Sequence, residues 1–155
     1  MAETFAALRA DRSCSFALPM AARAAFGLFT PQGEKAWAQG WDPEYLHPGD
    51  GRTEPGMVFR TSAHGEETIW TVSRFDPEGG FVEYVRCTPG SRIAIVSVRC
   101  ADTGPSRCEV SVRCVFTGLS AAGNARIREM DERRFAEYIG AWRSEIEAML
   151  AGEAQ

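Results

Sequence analysis

What this chain lacks narrows its function first. It has no surplus of positive charge: 17 Lys and Arg stand against 21 Asp and Glu, for a formal net charge of -4. Nucleic acids and anionic membrane surfaces both select a cationic footprint, so neither is an expected partner. No run approaches the roughly 20 apolar residues that span a bilayer. From Met1 to Arg12 the charges Glu3, Arg9 and Asp11 interrupt any signal-type stretch. The expectation is a cytoplasmic protein without a membrane span. Histidine is scarce, at two residues, and the five cysteines are odd in number and show no CxxC spacing. Because Cys87, Cys100, Cys108 and Cys114 fall inside strand-like runs, reduced, buried thiols are expected, with no disulfide framework, no metal and no cofactor. Gly49-Asp50-Gly51 is too short, and lacks the strand-to-helix context, to be a phosphate loop.

What is present points to one domain over residues 1–155, since a chain that is 45% hydrophobic at this length can bury a core but hardly two. A short strand (Ser13 to Leu18) is stopped by Pro19. Two brief helical stretches follow, Ala21 to Phe29 and Pro31 to Ala38, the second opened by Thr30 as N-cap with Pro31 at the first helical position. From Gln39 to Gly56 breakers are so frequent that a long loop, lid or rim of a site, is expected.

Between Met57 and Thr117 the periodicity changes to two, with turn signals at His64-Gly65, Asp76 to Gly80, Pro89-Gly90 and Asp102 to Pro105, which reads as a meander of about five strands. Setting Cys100 against Cys108 in the last hairpin also sets Val98 against Val110, Val96 against Val112 and Ala94 against Cys114, an apolar face. The opposite face then pairs Arg99 with Glu109 and Ser97 with Ser111, a solvated pair rather than a catalytic one. A helical segment from Ser120 to Met130 leads to Asp131 as N-cap of a long final helix. Along it Phe135, Ile139, Trp142, Ile146 and Met149 form an apolar stripe that needs a sheet to lie on. The fold class expected is α+β: a curved antiparallel sheet around a long C-terminal helix, with two short helices after the first strand.

The run from Thr30 through Trp37 and Trp41 to Leu46, then Thr68-Ile-Trp70-Thr-Val, Glu83-Tyr84-Val85, Pro89-Gly90 and Thr117-Gly-Leu-Ser-Ala-Ala-Gly-Asn124, resembles bacterial START-like (SRPBCC) proteins of the helix-grip superfamily. The resemblance covers nearly the whole chain and implies the fold. The superfamily places carriers, polyketide cyclase/dehydrase-like enzymes and chaperone-ATPase-activator-like modules on one scaffold, so it leaves function open.

Pairing Phe75 with Phe81 sets Val72 beside Tyr84 and Trp70 beside Arg86 on one face, taken here as the inward one; a bulge at Pro89-Gly90 would turn Glu83 inward in place of Arg86. An inward charge is suited to orienting a carboxylate or carbonyl on a ligand, although an arginine can also extend to a rim or pair with an acid of the loop. Trp70 and Trp142 could each be plain core. Together with Trp37, Trp41, Tyr84 and Tyr138, and with Phe116, they suit the wall of a partly wet cavity whose polar ring tips meet a ligand. For Trp37 and Trp41 the alternative is to staple the loop to the sheet. His47 is placed where it could reach the mouth of the cavity, while His64 is placed in an exposed turn. The leading expectation is binding of a small hydrophobic or aromatic molecule. A cyclase/dehydrase-like enzyme and an interaction module are the alternatives, and no catalytic constellation is recognisable.

Overall fold

Apolar alternation along the second half of the chain builds one antiparallel sheet, and a single apolar helical stripe lies on it. The structure is a computed structural model that describes residues 4–153. Glu3, one of the charges noted at the N-terminus, lies outside them, as do the last two residues of the 1–155 span. The strands are β1 (Arg9–Leu18), β2 (Glu44–His47), β3 (Val58–Ala63), β4 (Glu66–Asp76), β5 (Phe81–Thr88), β6 (Arg92–Gly104) and β7 (Arg107–Gly118), in the spatial order β1-β7-β6-β5-β4-β3-β2. Between β1 and β2 come α1 (Ala22–Phe26) and two short 3-10 turns, Gly27–Phe29 and Gly33–Ala36. After β7 come α2 (Ala121–Glu129) and α3 (Glu132–Glu153). This is the expected curved sheet with a long C-terminal helix.

Several expectations are corrected in detail. The first strand begins at Arg9, not Ser13, because polar residues such as Arg9 and Asp11 alternate with half-buried or buried ones and pair fully with β7. The Gln39 to Gly56 loop contains β2, an edge strand pairing Glu44 with Arg60 and Tyr45 with Phe59. Four residues among many breakers give no readable periodicity. In the last hairpin the partners are displaced by two residues: Ala94 opposes Phe116, Val96 Cys114, Val98 Val112 and Cys100 Val110. The strands continue to Gly104 and Arg107, with an irregularity between Asp102 and Gly104, so the turn is tighter than its residues suggest. A shift of two preserves the inward face but dissolves the cross-strand pairs: Arg99 opposes Ser111, Ser97 opposes Arg113 and Glu109 opposes Ala101.

Trp70 opposes Arg86 and Val72 opposes Tyr84 as expected, whereas a bulge between Val72 and Arg74 moves Phe75 opposite Val82 rather than Phe81. Pro89-Gly90 makes no bulge. It forms a tight turn in which the Ser91 N–H donates to the Thr88 carbonyl at 3.0 Å, with Gly90 at φ 73°, and β5 and β6 pair without interruption. Val82 and Tyr84 are therefore buried inward and Arg86 shares their face; Glu83 lies on the other, accepting a hydrogen bond from Ser73 Oγ at 2.9 Å.

The helices are set by local chemistry. Thr30 Oγ1 accepts from the Gly33 N–H at 3.0 Å, but the helix expected from Pro31 to Ala38 is the shorter 3-10 turn Gly33–Ala36, whose N-cap is Gln32. Asp102 Oδ1, from the tip of the β6–β7 hairpin, accepts the Ala22 N–H at 2.8 Å and so anchors α1. Ser120 caps α2 by accepting from Gly123 N–H at 3.0 Å. Gly123 passes so close to the Ser91 carbonyl that a Cβ there would overlap it, and Asn124 accepts from Leu8 N–H at 2.9 Å while donating to the Ala6 carbonyl at 3.0 Å. The Thr117 to Asn124 motif is thus a clamp on the chain entering β1. Asp131 Oδ1 accepts from Arg134 N–H at 2.9 Å at the start of α3. Phe135, Ile139 and Ile146 are buried against the sheet, with Trp142 and Met149 half-buried, and α3 lies along β1.

All five cysteines are free; Cys100, Cys108 and Cys114 are buried. Burial pushes the Cys100 thiol up to about 12 and Cys114 up to about 11, and raises Cys108 as well. These three should therefore resist an alkylating reagent at pH 8 in the folded protein and react once it is denatured, as mass measurement will show. Ile139→Ala, at a position with no exposed surface, should cost about 2–5 kcal/mol in denaturant unfolding.

Candidate functional site

The concave face of the sheet is not filled by side chains. Because α3 lies along β1, a cavity of about 620 Å³ remains between α3, the segment running from the second 3-10 turn to Asp42, and the inner faces of β3 to β7. Alternation places Tyr84 and Arg86 side by side on β5, with Trp70 directly across from Arg86 on β4. Phe116 enters from β7. Tyr138 and Trp142, four residues apart, meet on one face of α3 with ring centroids 5.5 Å apart. Trp37 and Trp41 close the remaining side. All eight positions singled out from the residues line this one space.

The polar tips of the rings, however, point mostly into protein rather than into the cavity. Trp37 Nε1 donates to the Leu28 carbonyl at 2.8 Å, Trp41 Nε1 to the Pro31 carbonyl at 2.8 Å and Trp70 Nε1 to Thr61 Oγ1 at 3.0 Å. The Tyr84 hydroxyl donates to the Phe29 carbonyl at 2.7 Å in a fully buried bond. Stapling and lining are therefore one role: Tyr84 ties the 26–42 segment to the sheet, Trp37 and Trp41 brace that segment internally, Trp70 braces β4 against β3, and all four line the cavity. The rings touch in a chain: Trp37 with Trp142 at 5.8 Å, Trp41 with Trp70 at 5.6 Å, and Phe59 stacked on Trp70 at 5.5 Å.

Charged residues interrupt this wall, and two of them, Arg86 and Glu34, bear on what it could bind. The Arg86 guanidinium lies between the Trp70 ring (5.4 Å) and the Phe116 ring (5.8 Å) and forms no ion pair among the described residues. Stacking of this kind holds a cation in an apolar setting without neutralising it. A side pocket of about 170 Å³ adjoins it, lined by Arg86, Arg92, Arg126 and Arg134 together with Phe116, Ile127, Met130 and Glu129. Glu66 neutralises part of that cationic cluster, accepting from Arg92 at 3.0 Å and from Arg126 at 3.1 Å. Arg92 is the main reason its carboxyl is held below the usual range.

The second is Glu34, which the residues alone did not flag. It lies on the 3-10 turn three positions before Trp37, and in such a turn i and i+3 eclipse, so the two side chains face the cavity together. That spacing was the available signal. The Glu34 carboxyl accepts no hydrogen bond and forms no ion pair among the described residues, and burial pushes its pKa well above the ordinary range. Burial, and then the nearness of Glu34, raise Tyr84 likewise. His47 is exposed on β2 near Glu54, at 4.0 Å, while His64 is the histidine at the cavity mouth. Among the described residues no group of three or more His, Cys, Asp or Glu side chains converges as a metal site would require, and no helix is long and apolar enough to cross a membrane.

No protein-family model and no curated protein matches the chain. Solved structures do. A point mutant of norcoclaurine synthase from Thalictrum flavum, in complex with a transition-state analogue, is 13% identical with a TM-score of 0.68, the match covering 97% of this chain and 99% of that one. The same enzyme in complex with dopamine and hydroxybenzaldehyde is 13% identical with a TM-score of 0.66 over 92% and 88% of the two chains. The Zhui aromatase/cyclase from Streptomyces sp. R1128 is 16% identical with a TM-score of 0.63 over 95% and 94%. The chain shares the helix-grip fold of these structures. At these identities the fold is what is shared.

Glu34 gives stability a distinctive pH dependence. A carboxyl whose folded pKa is raised binds its proton more tightly folded than unfolded, so its contribution is fully present below the ordinary value of 4.5 and is lost as pH rises toward the folded pKa. Glu34→Gln removes that titration. The variant should be more stable than the parent at pH 8 and closer to it at pH 4, measured by denaturant unfolding at the two pH values.

Proposed function

We propose that this protein binds a small hydrophobic or aromatic molecule in the cavity between the sheet and α3, with Trp37, Trp41, Trp70, Tyr84, Phe116, Tyr138 and Trp142 as its wall and Arg86 as the group that orients an anionic substituent. One observation carries this reading: a space of about 620 Å³ walled by stacked rings holds a guanidinium without a carboxylate partner. Ring faces offer area without directional demands, and a stacked but unneutralised cation offers a charge-assisted bond where little water competes. The solved structure of norcoclaurine synthase with dopamine and hydroxybenzaldehyde gives the same fold small aromatic ligands, which adds support.

A cyclase- or dehydrase-like enzyme is the second reading, favoured by the Glu34 carboxyl, a proton-exchanging group facing the same space. Hydrogen–deuterium exchange at the methyl group of 2-acetylnaphthalene, accelerated by the protein and lost in Glu34→Gln, would mark it.

For the binding reading, an apolar anionic dye such as anilinonaphthalene sulfonate should bind saturably, one per chain, and quench tryptophan fluorescence. Arg86→Met should weaken 2-naphthoate about tenfold or more while leaving 2-acetylnaphthalene within about twofold, since only the anion loses a charge-assisted bond. Equal weakening of both would make Arg86 a wall residue, and absence of any saturable binding would refute the reading.

A further inference from the structure

The cavity has a second polar end, and its chemistry is opposite to that of Arg86. Glu34 is brought to the wall by the 3-10 turn at Gly33–Ala36, beside Trp37 and close to Tyr84. Tyr84, which stands near Glu34, and Arg86 are two residues apart on one face of β5, roughly 7 Å along the strand. That is the scale of a fused aromatic ring.

A carboxyl in such a place needs a partner, and the surrounding groups supply none. Around the cavity it shares its wall with Glu66 of β4, Tyr84 and Arg86 of β5, Arg92 of β6, Cys114 of β7, Arg126 of α2, Tyr138 and Glu145 of α3, Asp42 before β2 and His64 of the β3–β4 turn. None of them bonds it among the described residues. Tyr84 spends its hydroxyl proton on the Phe29 carbonyl, and the adjacent Lys35 places its ammonium over the Tyr45 ring at 4.9 Å. The same wall carries the rings of Trp37, Trp41 and Trp70, whose electron-rich faces disfavour an anion.

We propose that Glu34 is a specificity-determining residue that, as a neutral acid, donates a hydrogen bond to a carbonyl oxygen on the bound molecule. The ligand class that fits both ends is an aromatic body with an anionic group toward Arg86 and a neutral acceptor oxygen toward Glu34. Burial favours the protonated form of this carboxyl, in keeping with a donor role at neutral pH. This assignment rests on the binding reading above, and the experiment separates the two.

The probes are 2-acetylnaphthalene and 2-isopropenylnaphthalene, which match in shape and differ in a carbonyl oxygen against a methylene. Their affinity ratio is compared between proteins, which cancels the difference in their hydration. The ketone preference should survive in Glu34→Gln, whose amide still donates, and fall about tenfold in Glu34→Leu, which removes the donor. With rising pH the parent should lose the preference as Glu34 ionises, while Glu34→Gln keeps it. A thermal unfolding scan checks that both variants fold. An unchanged ratio in Glu34→Leu, with both probes still bound, overturns the assignment and leaves the binding reading standing. Binding of neither probe to the parent overturns both. Should 1-(2-naphthyl)ethylamine bind the parent more tightly than the ketone and lose that advantage in Glu34→Gln, Glu34 is an anionic partner for an ammonium and the donor role fails.

Discussion

The seating of α3 along β1 is the constraint from which the rest follows. Its stripe, Phe135, Ile139 and Ile146, buries against the β1 side of the sheet, where β1, β7 and β6 present an apolar inner face. Burying three large apolar side chains contributes about 1.5–3 kcal/mol each, so the helix has little freedom to shift toward β3 and β4. The sheet curves on past the helix. A gap opens there, and among the described residues the segment between α1 and β2 roofs it.

That segment is too rich in Gly and Pro to hold itself in place by regular structure. It is held by ring donors instead. The Tyr84 hydroxyl and the indole N–H groups of Trp37 and Trp41 satisfy carbonyls of residues 28, 29 and 31. Backbone carbonyls with no strand or helix partner would otherwise be costly to bury. The same aromatic residues that make the wall apolar therefore make it rigid, and a preformed cavity binds without the entropic cost of ordering a loop.

Charge is distributed in the complementary way. Arg113 pairs with Asp11 across β7 and β1, Arg60 with Glu44 across β3 and β2, and Glu66 bridges Arg92 and Arg126 at the cavity rim. These pairs lie at or near the surface and contribute little to stability. Inside the cavity the pattern is reversed. Arg86 and Glu34 are both without ion-pair partners among the described residues, Arg86 stacked on the Trp70 and Phe116 rings. Both are half-buried, and a partly desolvated polar group without a partner gains from meeting one, which makes the two the natural points of contact for something that binds.

Much of this was legible in the residues. Period-two alternation from Met57 to Thr117 and the helical stripe from Phe135 to Met149 are set by which side chains avoid water, so the meander, the long helix and the inward face of β4 and β5 could be read directly. Trp70, Tyr84, Arg86 and Trp142, proposed from those faces, line one cavity with Trp37 and Trp41 of the loop start and with Phe116 and Tyr138. Register in the last hairpin was not legible, because a slip of two residues leaves every side chain on the same face and only the turn geometry at Pro105-Ser106 distinguishes the alternatives. Nor was β2, whose four residues pair at the sheet edge only once β3 is in place. Glu34 carried a signal in its spacing to Trp37, but only if the turn is 3-10 rather than α-helical. The composition and periodicity of this chain determined which surfaces are apolar; where α3 sits on them, which ring tips are spent on carbonyls and which charges are left facing the cavity were decided by tertiary packing, because each depends on residues far apart in sequence meeting across the sheet.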